Sequence, residues 1–110
     1  MTATDTLRAP TTEEMAEIFS ALSDPTRLQM VRLLFSDGEV ACTTFEGLFP
    51  ISKSTISYHV KALRHAGLIK VRKEGKYYHY VLQREELDER VPGLGALLNV
   101  ATDQGSRHSS

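Results

Sequence analysis

The chain has 110 residues, enough for one domain with a modest core and too few for two. Its 41% apolar and 25% charged residues are those of a folded globular chain and exclude the disordered and fibrous classes. The formal charge of −1 hides an asymmetry: residues 51–82 hold seven Lys/Arg against the single acid Glu74, a local +6, while the remainder carries −7.

A basic segment inside an acidic protein points to a polyanionic partner. Cys42 is the one cysteine, so no intrachain disulfide can form, which suits a reducing cytoplasm. Met1 is followed by polar Thr-Ala-Thr-Asp rather than a basic and then apolar leader. No apolar run approaches the roughly 18 residues a membrane span needs. The expected location is the cytoplasm, with no membrane partner.

Residues 1–10 are polar and read as a flexible arm. Thr11 with Glu14 makes a capping box for a first helix over about 12–22, with Met15, Ile18, Phe19 and Leu22 on one face. Ser23-Asp24-Pro25 restarts the chain, with Asp24 as cap and Pro25 at the first helical position. Leu28, Val31, Leu34 and Phe35 form the apolar face of this second helix, and Arg27 and Arg32 lie off it. Asp37-Gly38 ends it. A short third helix is expected over 41–49, capped by Thr43 or Thr44 and stopped by Pro50.

Ser52 caps a fourth helix that runs to about His65, with Gly67 as its stop. Two β-rich runs, 68–73 and 77–82, flank Glu74-Gly75-Lys76 as a hairpin. Residues 84–101 return to helical spacing through Leu87, Val91, Leu94, Leu98 and Ala101. Pro92-Gly93 and Gly95 are expected to break this segment, with Pro92 opening a second piece. Residues 103–110 read as a disordered tail, leaving 11–102 as the folded domain.

At 100° per residue, Ile56, Val60 and Leu63 form the buried side of the fourth helix. Ser54, Tyr58, Lys61 and His65 face nearly the opposite way. Ser57 and Arg64 lie on one flank, Thr55 and His59 on the other. This outer surface carries hydroxyls and cations and no acid, the donors that base edges and phosphates require. Ser54, Thr55, Ser57 and Tyr58 are the candidates for base contact, and Lys53 and Lys61 for phosphates. Ser52 reads as a cap rather than a contact. His59 sits beside the apolar side, where partial burial with one hydrogen bond competes with phosphate contact. In the hairpin, Lys70 and Arg72 share a face opposite Ile69 and Val71, and Lys73 and Lys76 flank the tip. A cationic hairpin of this kind reaches phosphates or the minor groove. Tyr78 and Tyr80 read as packing residues.

These segments resemble a known family. Ser23-Asp24-Pro25-Thr26-Arg27-Leu28 with Val31-Arg32-Leu33-Leu34 is similar to the opening of an ArsR/SmtB-type winged-helix repressor. Ser54 to Leu63, then Ala66-Gly67-Leu68-Ile69, resembles that family's recognition helix and its exit. Gly75-Lys76-Tyr77-Tyr78 and Tyr80 resemble its wing. The resemblance spans about residues 12–101. It implies a mainly α fold with a small β-hairpin, a winged helix-turn-helix acting as a homodimer on a pseudo-palindromic DNA operator. The first and last helices would form the dimer interface, through Met15, Ile18, Phe19, Leu22, Leu94, Leu97, Leu98 and Ala101. The DNA contacts would be Lys53, Ser54, Thr55, Ser57, Tyr58, His59, Lys61, Arg64, Arg72, Lys73 and Lys76.

The chain departs from the family at its metal sites. Where many members carry a cysteine pair, this chain reads Val40-Ala41-Cys42-Thr43-Thr44, with one thiolate. Where others use Asp and His on the last helix, it has Asp88-Glu89-Arg90 and no His between Tyr80 and Arg107. No metal or other cofactor is assigned. The signal would then be something other than metal, or would come through a sensing partner protein. Weak Ni²⁺ or Zn²⁺ binding by a non-standard set of His and carboxylates from the acidic ends stays open, as does a winged-helix module that docks an acidic protein. No nucleophile–base pair or phosphate loop has motif spacing, so catalysis is not expected.

Overall fold

The computed structural model describes residues 10–98. Among them the order is α1 (Thr12–Leu22), α2 (Pro25–Asp37), β1 (Glu39–Ala41), α3 (Cys42–Leu48), α4 (Lys53–His65), β2 (Ile69–Glu74), β3 (Tyr77–Leu82), α5 (Arg84–Arg90) and a helical stretch over 94–98. Nearly all of the expected arm, the expected tail and Ala101 lie outside the described residues. No helix among the described residues is long and apolar enough to cross a membrane.

Local chemistry sets the helix starts. The Thr11 hydroxyl accepts from the Glu14 N–H at 3.0 Å, and the Glu14 carboxylate accepts from the Thr11 N–H at 2.9 Å. The Asp24 carboxylate accepts from the Arg27 N–H at 3.1 Å, with Pro25 opening α2. The Ser52 hydroxyl accepts from the Thr55 N–H at 3.1 Å and opens α4. Each such cap stabilises its helix by about 1 kcal/mol. At the far end of α4, Gly67 adopts φ 81°, a left-handed conformation that costs a β-carbon dearly, and turns the chain into β2.

Two starts differ from expectation. Neither Thr43 nor Thr44 caps α3: the helix leaves β1 directly with Cys42, Ala41 holds the cap position without a side-chain bond, and both threonines lie inside the first turn. The second C-terminal piece begins at 94, after Gly93 at φ 91°, and not at Pro92. Gly95 does not break it. Gly95 is buried, and a β-carbon there would lie 3.1 Å from the Phe35 ring and from the Asp88 carboxylate, so this glycine permits close packing on α2. Arg84, at the start of α5, ties that helix to α2 by donating to the Phe35 carbonyl at 2.7 Å.

The sheet has order β1-β3-β2, all antiparallel. The hairpin register runs from Ile69 opposite Leu82 to Glu74 opposite Tyr77, leaving Gly75-Lys76 as a two-residue loop. Gly75 has φ 64° and Lys76 an ordinary φ, the pattern of a type II′ turn. β1 is too short for a periodic signal in the sequence, and it forms because Val40 pairs with the distant Tyr80. The core draws on every layer, with Ile18, Met30, Leu34, Phe45, Ile56, Leu63, Leu68, Ile69 and Leu87 almost fully covered. Tyr80 lies on Phe45 at 5.2 Å between ring centres. Burial, aided by the Cys42 thiol, pushes the Tyr80 hydroxyl well above the usual phenol range.

Candidate nucleic-acid interface

The α4 helix is anchored by Ile56, His59, Val60 and Leu63 and presents its other sides to solvent. Ser54, Ser57, Tyr58, Lys61, Arg64 and His65 are all exposed, as the helical spacing requires. Tyr58 is 63% exposed. Lys53 is exposed at the first turn, and Thr55 is half-buried. The Ser52 hydroxyl lies 3.1 Å from that of Ser54 and 2.9 Å from that of Thr55, so the cap also orients two candidate base-contacting groups.

His59 does not belong with the expected contacts. It is buried, and its Nδ1 accepts from Arg27 Nε at 3.0 Å. The Asp24 carboxylate lies 4.0 Å from the same nitrogen. Arg27 also lies over the Tyr58 ring, 5.4 Å from its centre. A chain from the α2 cap, through Arg27, to His59 and Tyr58 thus fixes the rotation of α4 about its axis. Arg27 was absent from the sequence-derived site. Its position off the α2 apolar stripe was the available signal, but nothing local tied it to a residue 32 positions away.

Arg72, also among the expected contacts, is already paired. Its guanidinium is spent on carboxylates: it pairs with Glu39 of β1 and, at 3.1 Å, with Glu74. Arg72 beside it holds the Glu39 carboxyl below its usual range, and the carboxylates raise the guanidinium in turn. His79, opposite Arg72 in the ladder, lies 3.4 Å from Glu39 and 3.9 Å from Glu74. Arg72 therefore ties the wing to β1. The cations left at the tip are Lys73 and Lys76, lying 5.6 Å from the Tyr78 ring centre and 5.7 Å from that of Tyr77. Tyr78 is 48% exposed and does not pack inward, whereas Tyr80 does. Between wing and helix lies a cleft of about 250 Å³, lined by Ser57, Lys61 and Arg64 from α4 and by Val71, Tyr78 and Tyr80 from the wing among others.

The expected partner-facing stripe divides. Ile18, Leu22, Leu94 and Leu98 are buried within the single chain, and Met15 is half-buried. Phe19 and Leu97 remain open, at 48% and 63% exposure. Cys42 is half-buried and donates to the Glu46 carboxylate at 3.4 Å. One thiol with a carboxylate and a phenol beside it does not fit a soft-metal site of the thiolate-pair kind. Among the described residues no group of three or more His, Cys, Asp or Glu is placed to hold a metal ion.

A helix-turn-helix domain model matches residues 22–72, from the end of α1 into β2. A helix-turn-helix-type transcriptional regulator of Methanocaldococcus jannaschii, of uncharacterised role, is 38% identical over 87 residues, covering 79% of this chain and 93% of the relative. An arsenical resistance operon repressor of Staphylococcus xylosus is 38% identical, covering 69% of this chain and 72% of the repressor. Among solved structures, the homodimeric winged helix-turn-helix DNA-binding domain of a possible ArsR-family regulator from Mycobacterium bovis superimposes with a TM-score of 0.68 at 29% identity. It covers 87% of this chain and 84% of its own. The acid-free helix, the wing and these relatives together place the chain in the ArsR/SmtB-type family of winged helix-turn-helix transcriptional regulators, DNA-binding proteins rather than enzymes.

Proposed function

We propose that the protein is a cytoplasmic, homodimeric repressor that binds a pseudo-palindromic operator. The observation that carries this reading is the outer face of α4, where Ser54, Ser57, Tyr58, Lys61 and Arg64 stand exposed without an acid among them, with Lys73 and Lys76 also exposed on the wing. Hydroxyls and the phenol read base edges in the major groove, and the lysines neutralise phosphates. Twofold symmetry supplies two such surfaces, spaced about one helical turn apart on the operator.

Support for a dimer comes from Phe19 and Leu97, large apolar side chains left in water on the two terminal segments, and from the homodimeric M. bovis relative. Each would lose most of its exposed area against a second copy. The signal that releases the operator does not pass through a cysteine pair, because Cys42 stands without a second thiol.

The test is a titration of the protein against its own upstream promoter and against random duplex, at several salt concentrations. Selective binding that weakens steeply with salt is the expected result. Equal affinity for both duplexes at every salt concentration would sink the reading. Light scattering of the wild type and of Phe19→Asp checks the dimer: the variant should run as a monomer.

A further inference from the structure

Between α1 and α4 lies an open groove of about 600 Å³, a size common among small-molecule sites. Its walls are apolar: Ala16 and Ala21 come from α1, Ala62 from α4 and Ala66 from the residue that follows it. Its polar groups are Glu17, Ser20, Arg27, Tyr58, Lys61 and His65. Arg27 and Lys61 line it, and among the described residues neither forms an ion pair with a carboxylate. The one acid in the lining, Glu17, faces His65 at 3.6 Å. Arg27 uses Nε on His59, which leaves its remaining nitrogens for a ligand. The groove therefore combines an apolar floor with two cations, Arg27 and Lys61, that no carboxylate meets in an ion pair among the described residues.

We infer that this groove binds a small amphipathic monoanion, an apolar body carrying one carboxylate, and that such a ligand displaces DNA. The apolar body covers the alanine methyls, and the carboxylate meets Arg27 and Lys61 in a charge-assisted contact. A phosphodiester strand fits less well, because it has no apolar body to lay against four alanines. Displacement follows from shared side chains. Tyr58 and Lys61 line the groove and also stand on the DNA-facing side of α4, so a bound anion takes a phosphate anchor out of use. The ligand would thus be an inducer. The displacement half of this inference rests on the DNA-binding function proposed above; the binding half rests on the groove alone.

Decanoate is the probe, compared with decanol and decyltrimethylammonium, which share its chain but not its charge. Calorimetry on the full-length protein reads binding directly, and anisotropy of a labelled promoter duplex reads displacement. Ala16→Phe and, as a second choice, Ser20→Leu fill the groove from the exposed side of α1, and neither residue belongs to the DNA-contacting set. The expected result is binding of decanoate only, with promoter affinity lowered about tenfold at saturation, an ordinary size for coupled sites. The filled variants should bind promoter as the wild type does and bind decanoate at least about tenfold more weakly.

Equal binding of decanol overturns the charge assignment, and undiminished decanoate binding by both variants overturns the location. Unchanged promoter affinity at saturating decanoate overturns the displacement. If both variants lose affinity for promoter and random duplex alike, the groove seats the DNA backbone and the inference falls. If the wild type binds no promoter at all, the proposed function fails, while the calorimetry still decides the groove.

Discussion

The α4 helix and the wing both expose cations and share a cleft, yet they are held in different ways. α4 sits on the buried Ile56, Val60 and Leu63 and is held in rotation by the part-buried Arg27–His59 bond. The wing is a two-stranded ribbon braced at its base by exposed ion pairs among Arg72, Glu39, Glu74 and His79. Exposed pairs add little stability and are screened by salt, whereas burial is not. On the proposed function, the helix would serve as the rigid reader and the wing tip as the more compliant contact to phosphates. Base reading tolerates little displacement and demands the rigid element.

This contrast can be broken at the helix first. Leu63→Ala opens a cavity under α4 and should cost about 2–5 kcal/mol, read as a lower midpoint in urea, with operator binding lost alongside. His59→Ala should cost less, about 1–3 kcal/mol, because it strands the Arg27 Nε–H. Its more telling effect is on DNA: selectivity should fall more than affinity for random duplex, since Tyr58 loses its fixed setting. If His59→Ala keeps full selectivity, the locking role assigned to the Arg27–His59 bond is wrong.

At the surface, Tyr58→Ala should reduce discrimination between operator and random sequence by about 1–3 kcal/mol, with melting nearly unchanged. Lys73→Ala or Lys76→Ala should instead weaken binding to all duplexes and lower the salt slope by about one. A competition titration at two salt concentrations separates these patterns.

The smallest effect belongs to the base of the wing. Glu39→Gln removes the carboxylate that Arg72 and His79 share. The folded-state pKa of Glu39 is depressed, so its contribution is present above the ordinary carboxylate range and disappears as pH falls through the depressed value. Wild type and variant should differ slightly in melting temperature at neutral pH and low salt, and converge in acid or high salt. A gap that persists in both conditions would mean that Glu39 acts by packing.

The 110 residues by themselves determined the parts that depend on near neighbours. Thr11–Glu14, Asp24-Pro25 and Ser52 start helices through bonds three residues long, and Gly67 and Gly75 turn the chain by their own backbone freedom. Helical spacing alone placed Ser54, Tyr58, Lys61 and His65 outside. Only the tertiary structure decided which of these groups stay free. Arg72 meets Glu39 across 33 positions and leaves the phosphate-contacting set; Arg27 meets His59 across 32 and enters the site as the group that orients it. β1 exists only because β3 lies beside it, and Gly95 only in packing against Phe35 shows why it is glycine. The physical reason is the same in each case. A cap or a turn is complete within one stretch of chain, whereas a charge or a strand takes its role from whatever folding brings next to it.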